Sequence, residues 1–541
     1  MLTRLNKHLI WVILLLAFFV RAYQINVTPA LNPDEAAIGY DAYSLIQTGK
    51  DEHGISWPLH FKSFGDYKPG GYFYLVLPFV KLMGLTPLAV RLPNLILSII
   101  TIYFLYKLIF LLSKSKELSL LSALILAISP WHIHFSRGAW ESSAALSFII
   151  IGTYFFYISK VKNFFWNFSL FVIFFALSLY IYHSARIFAP LIALSYILTN
   201  LKLILTKFPK ILFPLLIGVL LVIPVGVSFL NNGGATRFGG VGLTADQGPL
   251  WRANELLNQH QQNLRITDRI IHNQKNLYLI SWGEKYFSHF DLNYLFISGD
   301  EVPRSKVPDM GQFYLIELLF LLLGLVFILK FKQYSALKPV IFSWLIFAPL
   351  ASSLTFQAPS ALRSLPLLIP LSVLISIGIY QFFLQISKTN KLKIPLIIIT
   401  SILFIYSFTY YLDAYFIHYP KRYPFAWQYG FDELVPYVMA NKDKYNSVYI
   451  TDKYDQPYIL FLFYSKYSPS QIQKEIKLTP PDKFGFSTVN HFSNLYFQKI
   501  DWDKIPSNSL VVTSDETVPV TPLKNIYFPN KSFAFKIYIK P

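Results

Sequence analysis

Eleven long apolar runs set the pattern of this 541-residue chain, at 8–25, 89–112, 118–135, 139–159, 164–182, 187–205, 211–230, 313–329, 340–356, 362–386 and 394–415. A bilayer crossing takes about 20 apolar residues rising ~1.5 Å each. The pattern therefore predicts a mainly α, polytopic membrane helix bundle of about 11 transmembrane helices. A shorter apolar piece, 72–83, is bounded by glycines. It is expected to be juxtamembrane or re-entrant, covered by protein.

The segments between the runs divide by charge. Basic residues gather before the first run (Arg4 and Lys7) and lysines in alternate loops, as at Lys114 and Lys116, Lys160 and Lys162, and Lys330, Lys332 and Lys338. The other short turns hold one arginine each, Arg137, Arg186 and Arg363. Cytoplasmic loops carry the excess of Lys and Arg. This orients the N-terminus toward the cytoplasm, and it places a first loop (28–88), a second loop (231–311) and the C-terminal end outside.

From 416 onward the pattern changes to ordinary polarity with short β-like runs at 447–451, 510–513 and 534–539 and a helix near 456–464. Residues 1–415 are thus expected to be the membrane domain, and 416–541 a small extracytoplasmic α/β domain. In the second loop, the expectation is a Gly-rich opening (231–242) followed by a helical stretch at 250–276.

Composition agrees with a membrane protein: 54% hydrophobic, 18% aromatic, 14% charged, with a mean hydropathy of +0.42. The net charge of +19 would suggest nucleic acid in a soluble protein. Here the lysines lie between apolar runs, where they orient helices and meet anionic lipid. No nucleic-acid partner is expected. The chain has no cysteine, which excludes disulfides, thiolate metal sites and a Cys nucleophile. The first segment has a basic start and an apolar run but no small-residue cleavage site, so it reads as a retained first helix. Phosphate-loop, dinucleotide, zinc-protease and nucleophile-elbow motifs are all absent from the sequence.

The chemistry gathers in the first loop, LNPDEAAIGYDAYSLIQTGKDEHGISWPLHFKSFGDYKPGG. About forty ordered-looking residues exceed an ordinary connector. Asp34-Glu35 opens a predicted helix, where carboxylates favour the N-terminus. Next to a membrane surface, such a carboxylate can act as general base toward an acceptor hydroxyl. Lys68, followed by Pro69 and two glycines, is a cation suited to phosphate. Arg137 and Glu141, four apart, are expected to share a helix face. Arg186 follows His183, and Arg363 is the third outer arginine. Charges at the edge of a bundle are costly unless paired or functional. The expectation is that Arg137, Arg186 and Arg363 converge with Lys68 on an anion, with His289 and Asp291 lining the same cavity.

The ordered set PDEAAIGYDAYS, YKPGGYFYLVLPFVKLMG, AVRLPNLILSIITIYFLY, SPWHIHFSRGAWESSAAL, YHSARIFAPL, SHFDLNYLFISGD and APSALRSLPLLIP resembles the GT-C membrane glycosyltransferases. The nearest type is family 39, the protein O-mannosyltransferase-like enzymes, and the lipid A aminoarabinose transferase is a more distant relative. The resemblance implies inverting transfer of a sugar, a mannose-like hexose or a pentose, from a polyprenyl-phosphate carrier to a protein, lipid or glycan acceptor outside the cytoplasm. It puts the base on Asp34, the carrier-phosphate ligand on Lys68 and the second outer acid on Glu141. Where some relatives have Glu before the Lys-Pro, this chain has Tyr67, with Asp66 before it, so no metal ligand is expected there. No cofactor is implied, and the expected location is the cell membrane. The alternative is a lipid-linked-sugar flippase without transfer chemistry. That would need polar residues deep in the spans, whereas most span interiors are apolar and the charges cluster at one face, with Glu317 modestly inside a span.

Overall fold

A computed structural model describes residues 2–231, 242–260, 265–386, 392–482 and 487–541. The Gly-rich opening of the second loop falls almost wholly outside them. Each of the eleven apolar runs coincides with helix. Among the described residues, five helices are long and apolar enough to cross a membrane, or six when one bent pair counts as a single span. The remaining predicted spans fall on shorter helices, such as Phe164–Ser178 and Ala185–Thr199.

The bent pair shows one cause of such shortening. Helix α5 (Lys116–Ile128) and helix α6 (Pro130–Ser136) meet at an angle of 59°. Pro130 offers no N–H to continue the ladder, and it forces Ser129 into extended backbone (φ −60°, ψ 126°).

Packing divides the chain into two compact units. One holds Met1–Ala17, Ile99–His134 and Ala145–Phe408, and the other Phe18–Ser98, Phe135–Ala144 and Thr409–Pro541. In the first unit, the helices Glu317–Lys330 and Leu368–Ile386 approach backbone to backbone. A Cβ at Gly324 would lie 1.9 Å from the Leu374 carbonyl oxygen, and one at Gly378 1.9 Å from that of Phe320. Trp344 donates from its indole to the Tyr196 hydroxyl at 2.7 Å, satisfying two buried polar groups inside the bundle.

The second unit joins the first loop to the C-terminal residues. Its sheet runs in the order β4-β5-β3-β6-β8-β7, with β3 (Ser447–Ile450) parallel to β5 (Leu495–Phe497) and β6 (Ser509–Thr513). The strands β4 (His491–Phe492), β7 (Lys524–Tyr527) and β8 (Phe533–Lys540) pair antiparallel. The predicted runs at 447, 510 and 534 are three of these strands, and the predicted helix is Pro457–Ser465.

The first loop is built of helix α2 (Pro33–Thr48), a hairpin and helix α3 (Gly71–Met83). Asn32 caps α2, and Gly49 ends it in left-handed backbone (φ 71°) with its N–H on the Leu45 carbonyl. Strands β1 (His60–Ser63) and β2 (Asp66–Pro69) are joined by Phe64-Gly65, both at positive φ (57° and 83°). Two such residues make the primed turn that matches strand twist. With thirteen residues, α3 is the short piece expected from the sequence. Gly70 permits the approach that starts it, because a Cβ there would lie 2.8 Å from the Leu59 carbonyl.

Candidate active site

In the second unit Asp34, Asp66 and Glu141 all lie within electrostatic reach of Lys68. Asp34 lies in the first turn of α2, and its side chain is 41% exposed. It is ion-paired to Lys68, which the β1–β2 hairpin presents with Phe64 beneath it, 5.1 Å from ammonium to ring centre. Glu141 opens helix α7 (Glu141–Ser159). Burial works against the Lys68 charge, but the charges of Asp34 and Glu141, the hydrogen bond to Asp34 and the charge of Asp66 outweigh it. The Lys68 pKa consequently lies above that of an ordinary lysine. Asp66 accepts from the Tyr67 N–H at 2.8 Å, which fixes its carboxylate beside the strand, and Tyr67 is partly exposed next to it.

Glu35, the next residue after Asp34, has a different place. It completes a capping box with Asn32, accepting from the Asn32 N–H at 3.3 Å and side-chain amide at 3.2 Å. Arg91 grips it in a fork, Nε to Oε1 at 2.8 Å and Nη2 to Oε2 at 2.6 Å. The Ala139 N–H adds a bond to Oε1 at 2.9 Å. Arg91 spends its remaining donors on the carbonyls of Ile25, Pro29 and Ala30. Both carboxylate oxygens of Glu35 are thus occupied and the pair is sealed, at 2% and 0% exposure. The catalytic expectation for Glu35 is corrected accordingly: it is a clamp joining α2, helix α4 (Pro87–Ser113) and the turn before Glu141.

Arg137 departs from expectation in the same way. It sits in the turn after α6 and does not share a helix face with Glu141. Its guanidinium donates to the carbonyls of Val20 and Arg21, both at 2.8 Å, and of Thr28 at 3.0 Å. It lies 5.1 Å from the Tyr415 ring centre and 4.7 Å from that of Phe416. It is fully buried, and it caps the C-terminal end of helix α1 (Leu2–Ala22), where a cation meets the helix dipole.

The remaining candidates belong to the other compact unit. Arg186 donates from Nε to the Leu179 carbonyl at 3.1 Å and lies 3.4 Å from Nδ1 of His183, in the turn before the helix Ala185–Thr199. Arg363 donates to the Thr355 hydroxyl and the Gln357 carbonyl at 3.2 and 3.1 Å. His289 is fully buried, its Nδ1 within 2.9 Å of the Lys285 carbonyl, and burial pushes its pKa down to about 4. It is a neutral imidazole at physiological pH. Asp291 is exposed and caps the next turn through the Asn293 N–H at 2.8 Å.

Three acids of the first loop escaped the sequence reading. Asp41, Asp51 and Glu52 are all fully buried. Asp41 accepts from the Glu52 N–H at 2.8 Å, and Glu52 accepts from the Tyr458 hydroxyl at 3.2 Å and meets His53 at 3.3 Å. Burial, with Glu52 and Asp51 as like charges, raises the Asp41 pKa well above the carboxylate range, against the N–H of Glu52 and the field of Lys68. The only signal in the sequence was the cluster of acids at 51 and 52, ten residues beyond Asp41. Among the described residues, no group of three or more His, Asp or Glu is arranged to hold a metal ion.

The resemblance read from the motifs is borne out in the N-terminal part of the chain. Residues 11–230 match the family of dolichyl-phosphate-mannose-protein mannosyltransferases, somewhat less than half of the sequence. With its several long apolar helices, the chain is a multi-pass membrane protein. No curated protein sequence matches it. Among solved structures it is similar to ArnT from Cupriavidus metallidurans bound to undecaprenyl phosphate, at 9% identity over 85% of this chain and 84% of that one (TM-score 0.46). It is also similar to the oligosaccharyltransferase AglB from Archaeoglobus fulgidus in complex with an inhibitory peptide and a dolichol-phosphate. There the identity is 12% over 85% of this chain and 64% of that one (TM-score 0.47), so this chain spans under two thirds of AglB.

Proposed function

We propose that this protein transfers a sugar, by inversion, from a polyprenyl-phosphate carrier to a hydroxyl-bearing acceptor, with Asp34 as general base and Lys68 as ligand of the carrier phosphate. The observation that carries this reading is the half-open Asp34–Lys68 ion pair at the start of α2, with Glu141 and Asp66 in its field. The family match supports the reaction class.

The pair explains how one site serves both substrates. While Lys68 holds Asp34, the carboxylate is a weak base, since a neighbouring cation stabilises its charged form. A phosphate oxygen arriving on the carrier competes for the ammonium, and the carboxylate it releases regains basicity. The acceptor oxygen then attacks the anomeric carbon from the face opposite the phosphate and gives its proton to Asp34. The carbon–oxygen bond to phosphate breaks with its electron pair going to the phosphate, whose added charge Lys68 stabilises where it develops. A single displacement inverts the anomeric centre.

The test is sugar release by the purified protein in detergent from radiolabelled polyprenyl-phosphate mannose and other polyprenyl-phosphate sugars, wild type beside Asp34→Asn. Turnover by wild type, lost in Asp34→Asn while carrier binding persists, supports both chemistry and base. Binding of the carriers by both proteins without turnover of any of them overturns transfer and moves the question to a flipping assay in vesicles.

A further inference from the structure

The second loop exposes apolar side chains that a water-facing connector has no reason to carry. Its helices Gly248–Gln259, Ile266–Ile271 and Gln274–Phe287 leave Trp251, Ile266, Ile270, Leu279, Ile280 and Phe287 in the open, from 48% to 79% exposed. In the last helix, Leu279, Ile280 and Phe287 recur at spacings that keep them on one side. Cations are interleaved with them: Arg265, Arg269 and Lys275 are all exposed.

The attachment of this loop sets its level. The Leu243 N–H donates to the Leu354 carbonyl at 2.9 Å, and Gly242 bridges Thr355. At the other end, the Tyr286 hydroxyl donates to the Ile346 carbonyl at 2.9 Å. Ile346 lies near the end of the apolar helix Lys338–Phe347, and its own side chain is 53% exposed. Gly242 and Leu243 are therefore pinned just past the C-terminal end of the apolar helix Lys338–Ser353, and Tyr286 is held against the side of the same helix.

From this geometry we infer that the three helices lie on the bilayer surface, their apolar side chains in the headgroup–acyl boundary and their cations against anionic lipid phosphates. Interfacial helices combine these features, an apolar face flanked by Lys and Arg, and amphipathic aromatics concentrate at that depth. Lipid suits the surface better than a second copy of the chain, because the cations lie among the apolar groups. An interface between copies is depleted of charge at its core.

The chain has no cysteine, so single cysteines report cleanly. The full-length protein carrying Ile270→Cys or Leu279→Cys, with the exposed Ser507→Cys outside the loop as polar control, is labelled with an environment-sensitive fluorophore. It is reconstituted into vesicles of phosphatidylcholine with or without phosphatidylglycerol. We expect blue-shifted emission at 270 and 279, several-fold stronger quenching by lipids brominated near the glycerol than at 507, and a further shift with phosphatidylglycerol. Emission at 270 and 279 as water-exposed as at 507 overturns the inference. Shielding from water without lipid quenching, accompanied by energy transfer between labelled copies, assigns the face to self-association and equally overturns it. The extent of labelling and gel-filtration profile of each variant identify any misfolded protein, in which case the neighbouring Ile280→Cys replaces Leu279→Cys.

Discussion

Two adjacent carboxylates in the first turn of α2 each meet a cation, with opposite results. Glu35 and Arg91 are sealed from water and saturate each other with bidentate and backbone bonds, whereas Asp34 and Lys68 touch at the edge of the unit with the carboxylate 41% exposed. One residue of advance along a helix turns a side chain by about 100°, enough to point one acid inward and its neighbour outward. Ion pairs of the same chemistry are thus divided between one sealed in the interior and one open to solvent.

The largest effect expected from breaking this contrast lies on the sealed side. Arg91→Met strands the Glu35 charge in the interior and costs about 3–5 kcal/mol out of a total of about 5–15 kcal/mol. Chemical unfolding of the purified protein in detergent measures it. A loss below about 1 kcal/mol would equate Glu35 with an exposed pair and remove the distinction.

Asp34→Asn sharpens the other side. Stability should change by about 1 kcal/mol, since the side-chain amide can still accept from Lys68, while sugar transfer falls ~10²–10⁴-fold, the range for loss of a general base. A parallel fall in stability and activity would place Asp34 with the structural residues.

Arg137 and Lys68 extend the comparison to the cations. Arg137→Gln removes charged bonds to three carbonyls and should lower stability by about 2–3 kcal/mol, with KM for the carrier unchanged in the protein that folds. Lys68→Gln should raise that KM with little effect on melting temperature. Carrier titrations of both variants decide the matter, and a raised KM in Arg137→Gln would return that residue to phosphate binding.

The smallest effect is a pH slope. Because the Asp41 pKa is raised in the folded protein, the stability it contributes is complete below about 4, the ordinary Asp value, and is lost as pH rises toward the folded value. Asp51, also raised, acts in the same direction. Melting temperature should decline with rising pH across this window, and Asp41→Asn should flatten the decline. An unchanged slope in Asp41→Asn would assign the effect to Asp51 or other groups.

Periodicity and local chemistry made part of this molecule legible. The start of α2 follows from Asn-Pro-Asp-Glu, the short α3 from glycines at both ends, and strands β3, β6 and β8 from their β-branched runs. Side-chain roles were legible only where both partners lie near in sequence. Glu35 looked catalytic and Arg137 looked free because their partners are remote: Arg91 lies 56 residues from Glu35, and Val20 117 from Arg137. The shortening of several predicted spans was hidden for a different reason. Hydropathy averages over a break such as Ser129-Pro130, while the backbone responds to the single missing N–H.

The compact unit carrying Asp34 draws more than half of its residues from after 408. Tyr40 donates to the Tyr467 carbonyl at 2.8 Å, Tyr458 to Glu52 at 3.2 Å, and Gln473 to the hydroxyls of Ser44 and Thr48 at 3.1 and 2.9 Å. A ribosome must therefore pass codon 473 before α2 has all its neighbours. Translation itself becomes a timer: nascent chains whose apolar segments are already inserted still lack the supports of the Asp34 helix, and a stop codon between 415 and 457 would leave the membrane holding a bundle without them.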